Sequence, residues 1–355
     1  MSRITVLGSG AWGTALAISL ATKPDNQVTL WSHRAEATEA LNRDRENVAF
    51  LPGFPLPNQI RITGDDREAV EGAGILVFAV PSQHLRSTMA RVGPYILPGN
   101  IVVSATKGIE DGSFLRMTEV LQESLYEQRD EDSYYIHFGA LSGPSFAQEV
   151  AAGMPTAVTV AFRDPEIAAL IQKEFSSETL RLYTNDDLIG VEMGGALKNV
   201  IAIAAGVVAG QGLGLNSAAG LITRGIAEMT RLAVAAGGRR ETLSGLSGVG
   251  DLVLTCTGSL SRNRTVGFEL GGGRKLPEIL AGLGGKVAEG VRTTRAALGL
   301  ARKLGVEMPI TEQMEQILDH GKDPKAAIRD LMMRPGKDEG TGNRDQGSGH
   351  KAHFS

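Results

Sequence analysis

The chain has 355 residues, 42% of them hydrophobic, which is enough for two domains with separate cores. A formal net charge of −4 gives no basis for a nucleic-acid or membrane-surface partner. One cysteine, Cys256, excludes an intramolecular disulfide and a cysteine-cluster metal site, and it fits a reducing, cytoplasmic compartment.

The first stretch, Arg3-Ile4-Thr5-Val6-Leu7-Gly8-Ser9-Gly10-Ala11-Trp12-Gly13, reads as a buried strand, a G-x-G-x-x-G turn and the opening of an Ala/Leu-rich helix. Gly8 permits the tight turn, Gly10 lets a pyrophosphate approach the backbone, and Gly13 lets the helix pack on the strand. The helix N-terminus adds free N–H groups and a positive dipole end. Such a turn is weak evidence alone and could be an ordinary strand–helix junction. The helix after it and a second strand over 28–31 supply the βαβ context that a dinucleotide cradle needs. The apolar run 4–21 resembles a secretory leader only superficially, because glycines interrupt it and charged residues follow without a small-residue cleavage site.

At the tip of the second strand stand Ser32, His33 and Arg34, with no carboxylate to hold a ribose 2′-hydroxyl. A basic group there accommodates a 2′-phosphate, so NADP(H) is expected ahead of NAD(H), the alternative being that Arg34 is a solvated first-turn charge. The proline-rich segment 50–57 is expected to be irregular, covering the site or merely packing.

Apolar strands over 75–80 and 101–104 alternate with helical segments, which predicts a parallel sheet covered on both faces. In such sheets ligands bind outside the carboxyl ends of the strands. Lys107, in Ala105-Thr106-Lys107-Gly108, therefore faces the crevice unless it is simply solvated. The charged stretch 127–132 reads as a loop, and a strand over 136–141 then leads into Ser142-Gly143-Pro144-Ser145. Backbone amides and the Ser145 hydroxyl there could hold an anion or a substrate hydroxyl, or Ser145 could only cap the next helix. Strands over 156–161 and 180–183, around a helix from Pro165, complete the sheet.

From about 185 to 333 the periodicity is helical, which marks an all-α second domain after a nucleotide-binding domain over 1–184. The polar tail 334–355 is expected to be disordered. The helix containing 191–206 is so apolar that it must be buried, although its run 200–209 is too short to span a bilayer. Lys198 sits in that helix. A buried lysine is costly unless paired, and desolvation brings its pKa toward the range of a proton-transfer group, the alternative being that it reaches the surface. Asp251 and Thr255, four apart, share a helical face and could orient Lys198 and bond substrate, or be a cap and a core threonine. A loop carrying Ser261, Arg262, Asn263 and Arg264 suits a phosphate. Glycine-rich 271–274 and 282–285 read as flexible, and 286–290 could close over a nucleotide.

The motifs GSGAWGTALA (8–17), ATKG (105–108), SGPSFAQE (142–149), GGALKNVIAIAAG (194–206), GVGDLVLTCT (248–257), SRNR (261–264) and VAEGVRT (287–293) stand in one order along the chain. Together they resemble the bacterial NAD(P)-dependent glycerol-3-phosphate dehydrogenases to about residue 333. The resemblance implies a Rossmann-type α/β N-terminal domain plus an all-α C-terminal domain of the 6-phosphogluconate dehydrogenase type. It implies reversible, metal-free hydride transfer between NAD(P)H and dihydroxyacetone phosphate, giving sn-glycerol 3-phosphate for phospholipid synthesis. Lys198 matches the proton donor/acceptor, with Lys107 and Asp251 beside it. Gly143, Ser145, Ser261, Arg262 and Asn263 match the substrate side, where Thr255 is also expected from its place on the Asp251 face. Trp12, His33, Arg34, Ala147, Val287 and Glu289 match the cofactor side, beside the turn of Gly8, Gly10, Ala11 and Gly13 that is expected to cradle the pyrophosphate, with Lys107 and Arg262 touching both ligands. Ala11 departs from the serine common in relatives, removing one side-chain bond to the pyrophosphate. The partner implied is the small-molecule substrate, with no nucleic acid and no membrane insertion; a homodimer is compatible with the sequence, which does not fix the oligomeric state. Rival readings are a β-hydroxyacid dehydrogenase of the same architecture and a non-catalytic NAD(P) sensor. The SRNR cluster argues against the first, and the set Lys107, Lys198 and Asp251 against the second.

Overall fold

A computed structural model describes residues 2–127, 135–283 and 287–335. Its N-terminal half runs β1 (Ser2–Leu7), α1 (Ala11–Leu20), β2 (Asn26–Trp31), α2 (Ala35–Asp44), β3 (Glu46–Asn47), β4 (Leu51–Pro55) and β5 (Arg61–Thr63). It continues through α3 (Asp66–Val70), β6 (Ile75–Phe78), α4 (Leu85–Val92), β7 (Ile101–Ser104), α5 (Met117–Tyr126) and β8 (His137–Ser142). Last come α6 (Ala147–Ala151), β9 (Thr156–Phe162), α7 (Pro165–Phe175) and β10 (Leu180–Asn185). Every residue of β6 and β7 is buried, as the continuous apolar runs require of strands covered on both faces.

Eight strands form one sheet in the order β10-β9-β8-β7-β6-β1-β2-β5. The expected all-parallel pattern needs one correction: β8 and β9 pair antiparallel, and β10 follows β9 in that direction. The only helix between β8 and β9 is α6, five residues long and so about 7.5 Å, which packs on α1 instead of running back along the sheet. The chain therefore re-enters from the carboxyl edge. The proline-rich segment is also less irregular than expected, since β4 pairs antiparallel with β3. This two-stranded edge ladder tolerates prolines, and the Gly53 N–H donates instead to Glu46 Oε1 at 2.7 Å.

The helical half comprises α8 (Leu188–Gly210), α9 (Leu215–Ala235), α10 (Arg240–Leu243), α11 (Asp251–Thr257), α12 (Arg262–Gly271), α13 (Leu276–Ala281), α14 (Glu289–Leu304), α15 (Pro309–His320) and α16 (Pro324–Met332). α8 is its axis, and α9, α11, α12 and α14 pack around it. A Cβ on Gly206 would collide with the carbonyl of Arg264, and one on Gly267 with that of Ile203. Only glycine lets α8 and α12 lie this close. At 23 residues α8 is long and apolar enough to span a bilayer, contrary to the reading from its shorter run. With 89% of its apolar window buried, however, it is the core of this domain. Full burial of Val200, Ile201 and Ile203 contributes roughly 1.5–3 kcal/mol each, which offsets the cost of carrying Lys198 inside. The two halves are tied together by Glu192 of α8. This buried carboxylate ion-pairs with Arg116 and accepts from the N–H (2.8 Å) and hydroxyl (2.7 Å) of Thr118 at the start of α5. Burial pushes its pKa up, and those partners oppose the shift. Residues 128–132 of the charged stretch, the glycines 284 and 285, Lys286 and 336–355 of the tail lie outside the described residues.

Candidate active site

The glycine turn has the shape of a dinucleotide cradle. Gly8 sits at φ +124°, in the region that disfavours side chains, and a Cβ there would fall 2.7 Å from the Ala79 carbonyl oxygen. A Cβ on Gly13 would strike the Gly8 carbonyl, whereas the space before Gly10 is open. Gly10 stands at the cap position of α1 and offers no side-chain cap, so the first N–H groups of the helix are left for an anion. Ala11, Trp12 and Ala147 pack with Leu51 and Phe54 of the β3–β4 ladder against the start of α1. The Trp12 indole N–H is buried without a partner among the described residues. Asn47, which the sequence does not single out, ties this ladder to the turn by donating to Ser9 O (2.8 Å) and Thr14 Oγ1 (2.7 Å). His33 and Arg34 lie exposed at the tip of β2. These features fit a nicotinamide dinucleotide.

Across the same carboxyl edge of the sheet, four predicted residues meet. Lys198 of α8 is 7% exposed and donates to Asp251 Oδ1 and to Thr255 Oγ1 (2.8 Å). Lys107, in the loop after β7, donates to the other Asp251 oxygen at 2.7 Å and to Gly143 O at 2.9 Å. Asp251 is wholly buried and so bridges two ammonium groups, leaving the cluster with one net positive charge. Burial lowers the Lys198 pKa to about 8, with Lys107 adding to the shift and Asp251 opposing it. Local backbone sets this up. One π-type turn, Leu246–Gly250, leads directly into α11 and aims its first residue, Asp251, inward. The absence of a side chain on Gly195 lets α8 lie against Ser142 and Lys107. Cys256 is no nucleophile here, because burial pushes its thiol up to about 12.

The remaining predicted residues surround this cluster, some in unexpected roles. Ser145 does not cap α6: its hydroxyl donates to Gly143 O at 3.0 Å, and Phe146 is the cap residue. Gly143 sits at φ +138° with its backbone pressed on Val158, a position only glycine fits. SRNR is not a loop but a helix start, because the Ser261 hydroxyl accepts the Arg264 N–H at 3.2 Å and caps α12. Arg262 is exposed and has no hydrogen-bond or ion-pair partner among the described residues. Surrounding protein lowers its pKa, and the charge of Glu289 opposes that. Asn263 is buried, donating to Asn199 Oδ1 (2.9 Å) and accepting from the Gly290 N–H (3.0 Å), with one amide N–H left over. Glu289 accepts from the N–H (3.2 Å) and hydroxyl (2.6 Å) of Ser82, and burial raises its pKa. Ser82 is thus a link between the halves that the sequence does not single out. Val287 is half-buried.

Residues 3–168 match the family model described as NAD-dependent glycerol-3-phosphate dehydrogenase N-terminus, and residues 187–329 match the C-terminus model. The chain belongs to the NAD-dependent glycerol-3-phosphate dehydrogenase family. It is therefore an NAD(P)-dependent oxidoreductase. A glycerol-3-phosphate dehydrogenase (NAD(P)+) of Acidobacterium capsulatum is 59% identical over 342 residues, covering 96% of this chain and 100% of that one. The like-named protein of Koribacter versatilis is 53% identical over 339 residues, covering 96% and 99%. The crystal structure of glycerol-3-phosphate dehydrogenase from Coxiella burnetii superposes with a TM-score of 0.88 at 38% identity, over 94% of this chain and 99% of that one.

Proposed function

We propose that this chain reduces dihydroxyacetone phosphate to sn-glycerol 3-phosphate, with Lys198 as the proton donor to the C2 oxygen. The observation that carries this reading is the Lys198–Asp251–Lys107 cluster at the carboxyl edge of the nucleotide-binding sheet. An ammonium has three N–H donors. Two of those on Lys198 go to Asp251 and Thr255, which leaves one for the substrate oxygen.

Bound NAD(P)H supplies the hydride. As charge builds on the C2 oxygen, Lys198 stabilises it and passes over its proton, producing the secondary alcohol and leaving a neutral amine that solvent reprotonates. Asp251 holds both lysines in place, and Lys107 adds a second positive charge facing the developing oxyanion. Unpaired Arg262, the Ser261 hydroxyl, the spare N–H of Asn263 and the Gly143–Ser145 turn are the groups offered to the phosphate and hydroxyl of the substrate. Glu289, Val287, Trp12 and Ala147 line the cofactor side, and His33 and Arg34 favour NADPH over NADH. The buried, free Cys256 supports a reducing, cytoplasmic setting.

Initial rates with dihydroxyacetone phosphate are expected to exceed those with a 3-oxoacid by orders of magnitude. Comparable rates would move the assignment to a β-hydroxyacid dehydrogenase. Arg34→Ala is expected to raise KM for NADPH about tenfold with little change for NADH. Equal changes for the two nicotinamides would remove Arg34 from cofactor selection.

A further inference from the structure

The tip of β2 is built over an unusual foundation. Trp31, 1% exposed, has the Arg91 guanidinium carbon 5.2 Å from its ring centroid and the His33 ring 6.3 Å away. Arg91, near the end of α4, is held there by a fork of bonds to Asp66: Nε to Oδ2 at 3.0 Å and one terminal nitrogen to Oδ1 at 2.8 Å. The Trp31 indole N–H donates to the same carboxylate at 3.1 Å. Beside this stack the Ser32 hydroxyl is buried without a partner. Arg34, exposed, also lacks a side-chain partner among the described residues. Burial and then the charges of Arg34, Arg91 and His84 lower the pKa of His33, so four basic side chains converge on this corner. Asp66 offsets one of them. Of the permanent charges, Arg34 and Arg91 against Asp66, one positive charge remains, set beside the His33 ring and the unpartnered Ser32 hydroxyl, which suits a phosphate monoester carrying about −1.5 to −2 charges.

We propose that Arg91 is a specificity-determining residue, fixed over Trp31 by Asp66 so that α4 supplies a second wall to the His33–Arg34 corner and selects a ribose bearing a 2′-phosphate. This rests on reading that corner as the adenosine end of the cofactor site. Arg91 needs no contact with the reacting atoms. A rigid guanidinium has already lost the side-chain freedom that a mobile lysine would lose on binding, so its attraction for phosphate is gained at little entropic cost.

Calorimetric titration of the full chain with 2′,5′-ADP and with 5′-ADP tests this without turnover. Arg91→Ala is expected to weaken 2′,5′-ADP about tenfold and 5′-ADP less than twofold. Asp66→Asn, which frees the fork, is expected to weaken 2′,5′-ADP several-fold. Equal weakening of both nucleotides by Arg91→Ala, together with a lower thermal midpoint, would show that Arg91 only staples α4 to α3, and would overturn the proposal. Unchanged binding of both would overturn it too. If Arg34→Ala alone abolishes the preference for 2′,5′-ADP, the adenosine-site reading survives and the role of Arg91 does not. If the unaltered chain shows no such preference, that reading itself fails.

Discussion

Lys198→Ala is expected to lower kcat for dihydroxyacetone phosphate reduction by about 10²–10⁴-fold, the usual worth of a positioned general acid. KM should change less if, as proposed, Arg262 and its neighbours hold the phosphate. The fold should persist: removing one ammonium leaves Asp251 still paired with Lys107, so no buried charge is abandoned. Circular dichroism and the thermal midpoint check the fold, and steady-state rates check the chemistry. A kcat within a few-fold of the unaltered enzyme would end the assignment of Lys198 as the acid.

Asp251→Asn is expected to damage both stability and rate. The change keeps the shape and removes the only negative charge between two ammonium groups in a wholly buried position. Breaking a buried ion pair from one side costs about 3–5 kcal/mol, although loss of the Lys198 proton relieves part of it. The sign of the pH dependence follows. The folded Lys198 pKa already lies near 8, below its ordinary 10.5, and in the variant it should fall further. Between the folded and unfolded values the unfolded chain binds more protons, so stability rises with pH across that window. The variant's deficit relative to the unaltered chain should therefore be largest below its own folded Lys198 pKa, shrink as pH rises toward about 8, and stay constant above that, where both chains gain stability equally. Its reduction rate at neutral pH should be about 10²-fold lower, because less of Lys198 would carry a proton and neither lysine would be held in place. A midpoint equal to that of the unaltered chain at neutral pH would show that Asp251 does not hold the two lysines.

The parts of this fold legible in the chain are those governed by local rules. Glycines at 8, 10 and 13 before an Ala/Leu run, and fully apolar strands such as 101–104, leave few alternatives. Lys198 stood out because its helix offers no polar face to put it on. What could not be read depends on distant partners or on the length of a connector. The reversal at β9 follows from how short α6 is and where it packs, and the pairing of β4 from a strand only two residues long. Ser261 reads as part of a loop in the sequence although serine is a common helix cap, because the glycines and polar residues around it hide the helix that follows. The Ser82–Glu289 bond joins residues 207 apart, and the Arg116–Glu192 pair joins residues 76 apart, separations at which no pattern in the chain marks a pair.

The central claim is that one buried group gives its proton in reduction and takes it back in oxidation, and the pH dependence of kcat/KM measured in both directions tests it most directly. Reduction needs the ammonium, so its rate should be level at low pH and fall as pH rises through about 8. Oxidation of sn-glycerol 3-phosphate needs the neutral amine, so its rate should rise through the same pH and then level off. Two profiles that bend at one pH in opposite senses would support Lys198 in both roles. Profiles that are flat, or that bend in the same sense, would contradict it.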